Sequence, residues 1–177
     1  TGTPQQLDAA SYTWLEQITH GAGDSLAFIA SSSQIPTRIV TWENGQSRVE
    51  RYSESGVIVP EELPVCQPVT WQAAGGSSVH GLYFPPVSSR FTSDGKPPAI
   101  VHIHGGPTSA AVAGFNTDAA FFTTRGYGFL EVNYRGSTGY GEAFTLDILG
   151  DPLRGPADDV NQAADEAIRR YPYVDAT

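Results

Sequence analysis

The 177-residue chain has no methionine, one cysteine, one lysine and four histidines. Charged residues make up only 16% of it, below the roughly 25% of an average globular chain. The lone thiol, Cys66, excludes an internal disulfide and a thiolate-rich zinc site. Ten basic residues face nineteen acidic ones, for a net charge of −9. That balance repels phosphate backbones, so nucleic acid is not an expected partner. The apolar runs are too short to span a bilayer, so no membrane partner is expected either. No basic stretch leading into an apolar core opens the chain, so no signal peptide is visible. With a single cysteine, this favours the cytoplasm. Methionine is missing even at position 1, which points to a processed chain or an excerpt of a longer one. What is present fits a folded protein: 40% hydrophobic and 11% aromatic residues, with nineteen glycines and thirteen prolines to make turns.

Two patterns divide the chain. Residues 1–60 read as short antiparallel strands. Leu26 to Ala30 is an apolar run that Ser31-Ser32-Ser33 is expected to break. Arg38 to Trp42 and Arg48 to Tyr52 flank Asn44-Gly45, a strong hairpin signal because both turn residues tolerate positive φ. Residues 53–68, with Pro60, Pro64 and Pro68, are the linker candidate. Residues 61–177 form the second region. A further hairpin, Val69 to Ala73 and Val79 to Phe84, turns at Gly75-Gly76. Pro98 to His104 then reads as a buried strand, 117–125 as a helix and Tyr127 to Tyr134 as another strand. Residues 135–155 read as a long glycine-rich loop. A last helix opens at Gly155-Pro156 and runs to about Tyr171, with Ala157, Val160, Ala164, Ala167 or Ile168 at helical spacing. Asp158, Asp159, Asp165 and Glu166 are expected on its solvated face. Strand–helix–strand–helix order is the start of an α/β sheet. No strand follows the last helix to receive it, so the domain is expected to be cut off.

His102-Ile103-His104-Gly105-Gly106-Pro107 closes the strand at the end where open α/β sheets bind ligands. Its two glycines can bring backbone amides close to an oxyanion. Together with Asn133-Tyr134-Arg135-Gly136-Ser137-Thr138-Gly139-Tyr140-Gly141, this turn resembles the prolyl oligopeptidase family of serine peptidases, in its acylaminoacyl-peptidase and dipeptidyl-peptidase branch. Asp158-Asp159 and Tyr173-Val174-Asp175 look like the stretch before that family's nucleophile elbow. The resemblance implies the N-terminal half of an α/β-hydrolase domain over residues 61–177. It implies terminal β-propeller strands over 1–60. It also implies short peptides as substrates and no cofactor or metal. Gly105 and Gly106 would form an oxyanion hole, and His104, Pro107, Tyr134 and Arg135 would border the substrate cleft. The family's Gly-x-Ser-x-Gly elbow, Asp and His are not found in these residues. They would lie beyond Thr177, in the missing C-terminal half of the domain, which leaves the isolated chain inactive.

Other readings compete. A non-catalytic peptide-binding module or an esterase can use the same fold. Gly23-Asp24-Ser25-Leu26 spells another esterase signature, but no histidine has the accompanying Asp-x-x-His spacing. His102 and His104, two apart on a strand, can share a zinc ion, with no clear third ligand. Ser137 lies in a glycine-rich loop rather than an elbow. Arg135 is either a substrate-carboxylate clamp or a structural ion-pair partner.

Overall fold

The computed structural model describes residues 11–53, 60–73, 75–88, 90, 96–106 and 108–170. These separate into two compact units. The first holds the described residues up to Glu61, joined by Ala113–Asn116, and the second holds the remainder.

The first unit is a four-stranded antiparallel meander of β1 (Trp14–His20), β2 (Leu26–Ser32), β3 (Ile35–Glu43) and β4 (Gln46–Tyr52), in the order β1-β2-β3-β4. Asn44 and Gly45, at φ 52 and 79, make the hairpin expected from Asn-Gly. One face collects Phe28, Ala30 and Val40, with Tyr12, Leu15, Leu26, Trp42 and Val49 packed around them. The Leu26 strand is not broken by its serines: β2 continues through Ser32, and Ser31 and Ser32 are buried. The reason lies far along the chain. Ser31 Oγ accepts a hydrogen bond of 3.3 Å from the amide of Phe115, and Thr13 Oγ1 donates to the carbonyl of Ala113. The amide of Phe115 gives Ser31 the partner that its buried hydroxyl needs within a strand.

The second unit is a mixed sheet in the order β5-β6-β8-β7, built from β5 (Gln67–Gln72), β6 (Ser78–Phe84), β7 (Ala99–Ile103) and β8 (Gly128–Asn133). The first three are antiparallel neighbours; β7 and β8 run parallel, with Ile103 opposite Val132. Parallel neighbours need a crossover, and α1 (Thr117–Thr123) lies on it. Helices cover both faces. Val160, Ala163 and Ala167 of α3 (Arg154–Arg170) pack on Trp71, Val79, Tyr83, Leu130 and Val132. Phe122 of α1 stacks on Phe129, on the other face. Every residue of β8 is buried, as expected of a strand covered twice.

Two expectations are corrected here. The 135–155 loop contains a short helix, α2 (Glu142–Leu146), and a 3-10 turn over Asp147–Leu149; five residues are too few to show a helical period. The acidic face of α3 is not uniformly solvated. Asp159 is fully buried and Glu166 nearly so, because Arg135 and Arg169 reach them. Tyr173, Val174 and Asp175 lie outside the described residues.

Candidate active site

Two loops leave the C-terminal ends of the parallel strands side by side. After β7 comes His104-Gly105-Gly106; after β8 comes Tyr134-Arg135-Gly136-Ser137. Gly106 sits at φ 74, a left-handed conformation that glycine adopts without strain. A Cβ on Gly105 or Gly106 would meet nothing within 4 Å. Among the described residues, neither of their amides donates a hydrogen bond.

The neighbouring loop holds this turn at several points. Tyr134, 7% exposed, donates its hydroxyl proton to the carbonyl of Gly106 at 2.7 Å, with the carbonyl of His104 at 3.4 Å. Its ring stacks on His104, centroids 4.6 Å apart. Asn133, fully buried, holds the chain further on, at Ala111. Its Oδ1 accepts from the amide of Ala111 at 2.7 Å, and its Nδ2 donates to the carbonyl of Ala111 at 3.0 Å. The Nδ2 group also donates to Tyr140 Oη at 2.8 Å. Beside Gly106 opens a cavity of about 470 Å³, lined by Ile103, Tyr134, Ile148, Pro156 and Val160 among others.

His104 and Ser137 meet, which the sequence did not foretell: Nε2 lies 2.8 Å from Ser137 Oγ. The contact looks like a nucleophile and its base, but the protons run the other way. Ser137 Oγ donates its only proton to the carbonyl of Tyr134 at 2.7 Å. Nε2 must therefore be the donor to Ser137, which leaves the neutral ring unprotonated at Nδ1. Nδ1 faces the carbonyl of Gly105 at 3.4 Å rather than a carboxylate. Ser137 is moreover fully buried. This pair pins loops together and does not activate a hydroxyl. Desolvation is the main influence on His104 and holds its pKa below the ordinary histidine value. With Nε2 engaged, His104 has no spare N–H for an oxyanion.

Arg135 turns away from the cavity toward α3. Its amide and Nε both reach Asp159 Oδ2, at 2.9 and 3.0 Å, and Nη2 reaches Oδ1 at 2.7 Å. Asp147 stands 4.0 Å from Nη1. The hydrogen bonds that its guanidinium donates to Asp159 are the leading cause that raises the Arg135 pKa. The fork is spent on a buried carboxylate, the ion-pair reading of Arg135. Of the expected cleft residues, Tyr134 lines the cavity, as does the expected oxyanion residue Gly106, while His104 and Arg135 are engaged with Ser137 and Asp159. Pro107 lies outside the described residues.

Other flagged groups are engaged elsewhere. Ser25 Oγ donates to the carbonyl of Ala22 at 2.7 Å, closing the turn between β1 and β2. His102 diverges from His104: it stacks on Phe129, and its Nδ1 lies 3.3 Å from Glu131 Oε1. No three His, Cys, Asp or Glu side chains among the described residues are grouped to hold a metal ion. Burial pushes the Cys66 thiol up to about 12, with Glu131 adding to it, so it stays protonated and unreactive at neutral pH. No described helix is long and apolar enough to cross a membrane.

A mixed sheet with helices on both faces and a glycine turn at the end of a parallel strand define the opening part of an α/β-hydrolase domain, here preceded by antiparallel strands of β-propeller type. The prolyl oligopeptidase family model matches residues 113–177. An uncharacterized peptidase of Bacillus subtilis, YuxL, is 29% identical over 86% of this chain and 23% of its own length. The acylamino-acid-releasing enzyme of Arabidopsis thaliana is 32% identical over 72% of this chain and 17% of its own. The crystal structure of a puromycin hydrolase superposes with a TM-score of 0.83 at 31% identity, over 92% of this chain and 25% of that one. The chain belongs to the prolyl oligopeptidase family. It spans a quarter or less of the length of these relatives.

Proposed function

We propose that these residues supply the oxyanion side of a serine peptidase that cleaves short peptides by acyl transfer. The amide of Gly106, assisted by that of Gly105, would donate to the oxygen that becomes negative as the scissile carbonyl is attacked. Such donors act because they are already aimed where charge develops. The observation that carries this reading is the pair of unengaged amides on a turn whose carbonyl side is tied down by Tyr134. Residues 1–60 would be terminal propeller strands, and 61–177 the opening of the hydrolase domain. No described serine is set up as a nucleophile, so the Ser, Asp and His would come from residues outside these 177, and the isolated chain would be inactive. The 470 Å³ cavity beside Gly106, with its apolar Ile103, Ile148, Pro156 and Val160 wall, would take part of the peptide or border its path. No cofactor is required for this chemistry.

A fluorophosphonate probe tests the reading, applied to the 177-residue chain and to the full-length protein that carries it. The expected result is labelling of the full-length protein alone, at a serine outside this chain, with cleavage of acyl-peptide or dipeptide amide substrates. Labelling at Ser25, Ser109 or Ser137 would move the nucleophile into the chain. A full-length protein that binds peptides but neither labels nor cleaves would favour a binding module.

A further inference from the structure

Resting on that reading, we infer that Tyr134 is a positioning residue for the oxyanion turn, acting through the carbonyl of Gly106, with Ser137 and His104 as its brace. A glycine pair at the end of a strand has little intrinsic constraint on its backbone, since glycine has wide conformational freedom. An amide that wanders cannot be pre-aimed, and pre-aiming is the source of oxyanion stabilisation. Four contacts remove this freedom. The Tyr134 hydroxyl holds the Gly106 carbonyl at 2.7 Å, which restrains rotation about the Cα–C bond of Gly106 and so steadies the residue whose own N–H is to be aimed. The ring of Tyr134 lies flat against His104, interplanar angle 16°. His104 Nε2 donates to Ser137 Oγ at 2.8 Å, fixing the residue that starts the turn. Ser137 is itself held, its Oγ donating to the Tyr134 carbonyl at 2.7 Å. The circuit closes on itself: Tyr134 holds Gly106 by its side chain, Ser137 by its carbonyl and His104 by its ring.

The brace is also fastened to the rest of the unit. Gly136 donates to the carbonyl of Phe144 at 2.9 Å, Thr145 Oγ1 donates to the carbonyl of Ser137 at 3.1 Å, and Arg135 is clamped by Asp159 of α3. Tyr134 therefore reaches the turn from a fixed base. None of these side chains touches the reacting atoms in this account. Their effect is on the direction of an N–H, so it should appear in turnover and not in ground-state binding.

The test is Tyr134→Phe in the full-length protein, which keeps the ring and its stack and deletes the hydroxyl. Removing an oxyanion donor outright typically costs on the order of 10²–10³ in turnover. Loosening one should cost less, about tenfold in kcat, with KM within about twofold. Affinity for a peptide boronic acid should fall with kcat, while affinity for the product peptide stays put. Ser137→Ala, which frees the His104 ring, should fall in the same direction by a smaller factor. It also serves as the second variant if Tyr134→Phe does not fold. An active wild-type protein whose Tyr134→Phe and Ser137→Ala variants keep kcat within twofold overturns the positioning role and leaves the peptidase reading intact. Variants whose KM rises with kcat unchanged overturn it as well. A wild-type protein that neither labels with fluorophosphonate nor cleaves peptide overturns the peptidase reading, and this inference with it.

Discussion

The two units are both built from short strands and tight hairpins, yet they bury different chemistry. The meander of β1–β4 closes over apolar side chains, Phe28, Ala30 and Val40, with the hydroxyls of Ser31 and Ser32 its buried polar groups among the described residues, and its Arg48–Glu50 ion pair lies at the surface. The β5–β8 unit buries Glu131, Asn133, Ser137 and Asp159. Each of the last three holds a loop: Asn133 of β8 holds Ala111, Asp159 of α3 holds Arg135, and Ser137 joins its own loop to that of His104. Buried polar groups are costly unless paired. Where they are paired, they fix loops that hydrophobic contact alone would leave mobile. Polar groups enter the interior of the second unit where loops must be held in one geometry, and the glycine turn is such a place.

The sharpest way to break this contrast is to remove Asp159. Asp159→Ala leaves the Arg135 guanidinium, 18% exposed, without its bidentate partner. Breaking a buried ion pair from one side costs about 3 kcal/mol or more. Hydrogen exchange followed by mass spectrometry reads the two units separately. Amides of β8 and α3 should exchange about a hundredfold faster, while those of β2 and β3 do not change. Equal acceleration in both units would show that the buried pair has no special hold on the second.

That prediction turns on a residue whose role the sequence hid. Asp159 has the spacing of an exposed helix position and the identity of a dipole complement, and helix periodicity says nothing about a partner 24 residues away. Ser31 misleads for the same reason: serines in a row read as a strand break until Phe115, 84 residues on, supplies its partner. Local signals survived best. Asn44-Gly45 made its turn, the apolar run into His104 made β7, and 154–170 made α3 within a residue or two of the expected ends. The glycine turn itself was legible as two glycines after a buried strand. What holds it was not, because Tyr134 and Ser137 are some thirty residues away and meet it only through the parallel pairing of β7 with β8.

Acid should separate the units more gently. His80 and His104, both in the second unit, have pKa values lowered chiefly by desolvation. The folded state therefore takes up their protons less readily than the unfolded chain, whose histidines titrate near ~6.5. The stability they contribute is fully present above that value and is lost as pH falls toward the lower folded values. Urea midpoints of the second unit should drop between pH 7.5 and 5, and a His80→Gln, His104→Gln double variant should flatten the curve. An unchanged slope in the double variant would assign the acid sensitivity to other groups.

The smallest effect belongs to the exposed pair of the first unit. Arg48 Nη2 lies 2.6 Å from Glu50 Oε1, but the arginine side chain is 78% exposed. Solvent screens such pairs, and holding two long side chains in one geometry costs entropy that offsets the attraction. The same carboxylate oxygen accepts a hydrogen bond from Thr41 Oγ1 at 2.6 Å, across the β3–β4 ladder. That hydrogen bond, ahead of the arginine, is the first cause of the lowered Glu50 pKa. Arg48→Ala should then leave exchange in β3 and β4 unchanged. Thr41→Val should raise the Glu50 pKa, read by NMR titration, further than Arg48→Ala does. The reverse order would mean that charge, rather than a cross-strand hydrogen bond, sets the ionisation of Glu50. A loss of protection in β3–β4 on Arg48→Ala, comparable to that in β8 on Asp159→Ala, would erase the distinction between an ion pair in solvent and one in the interior.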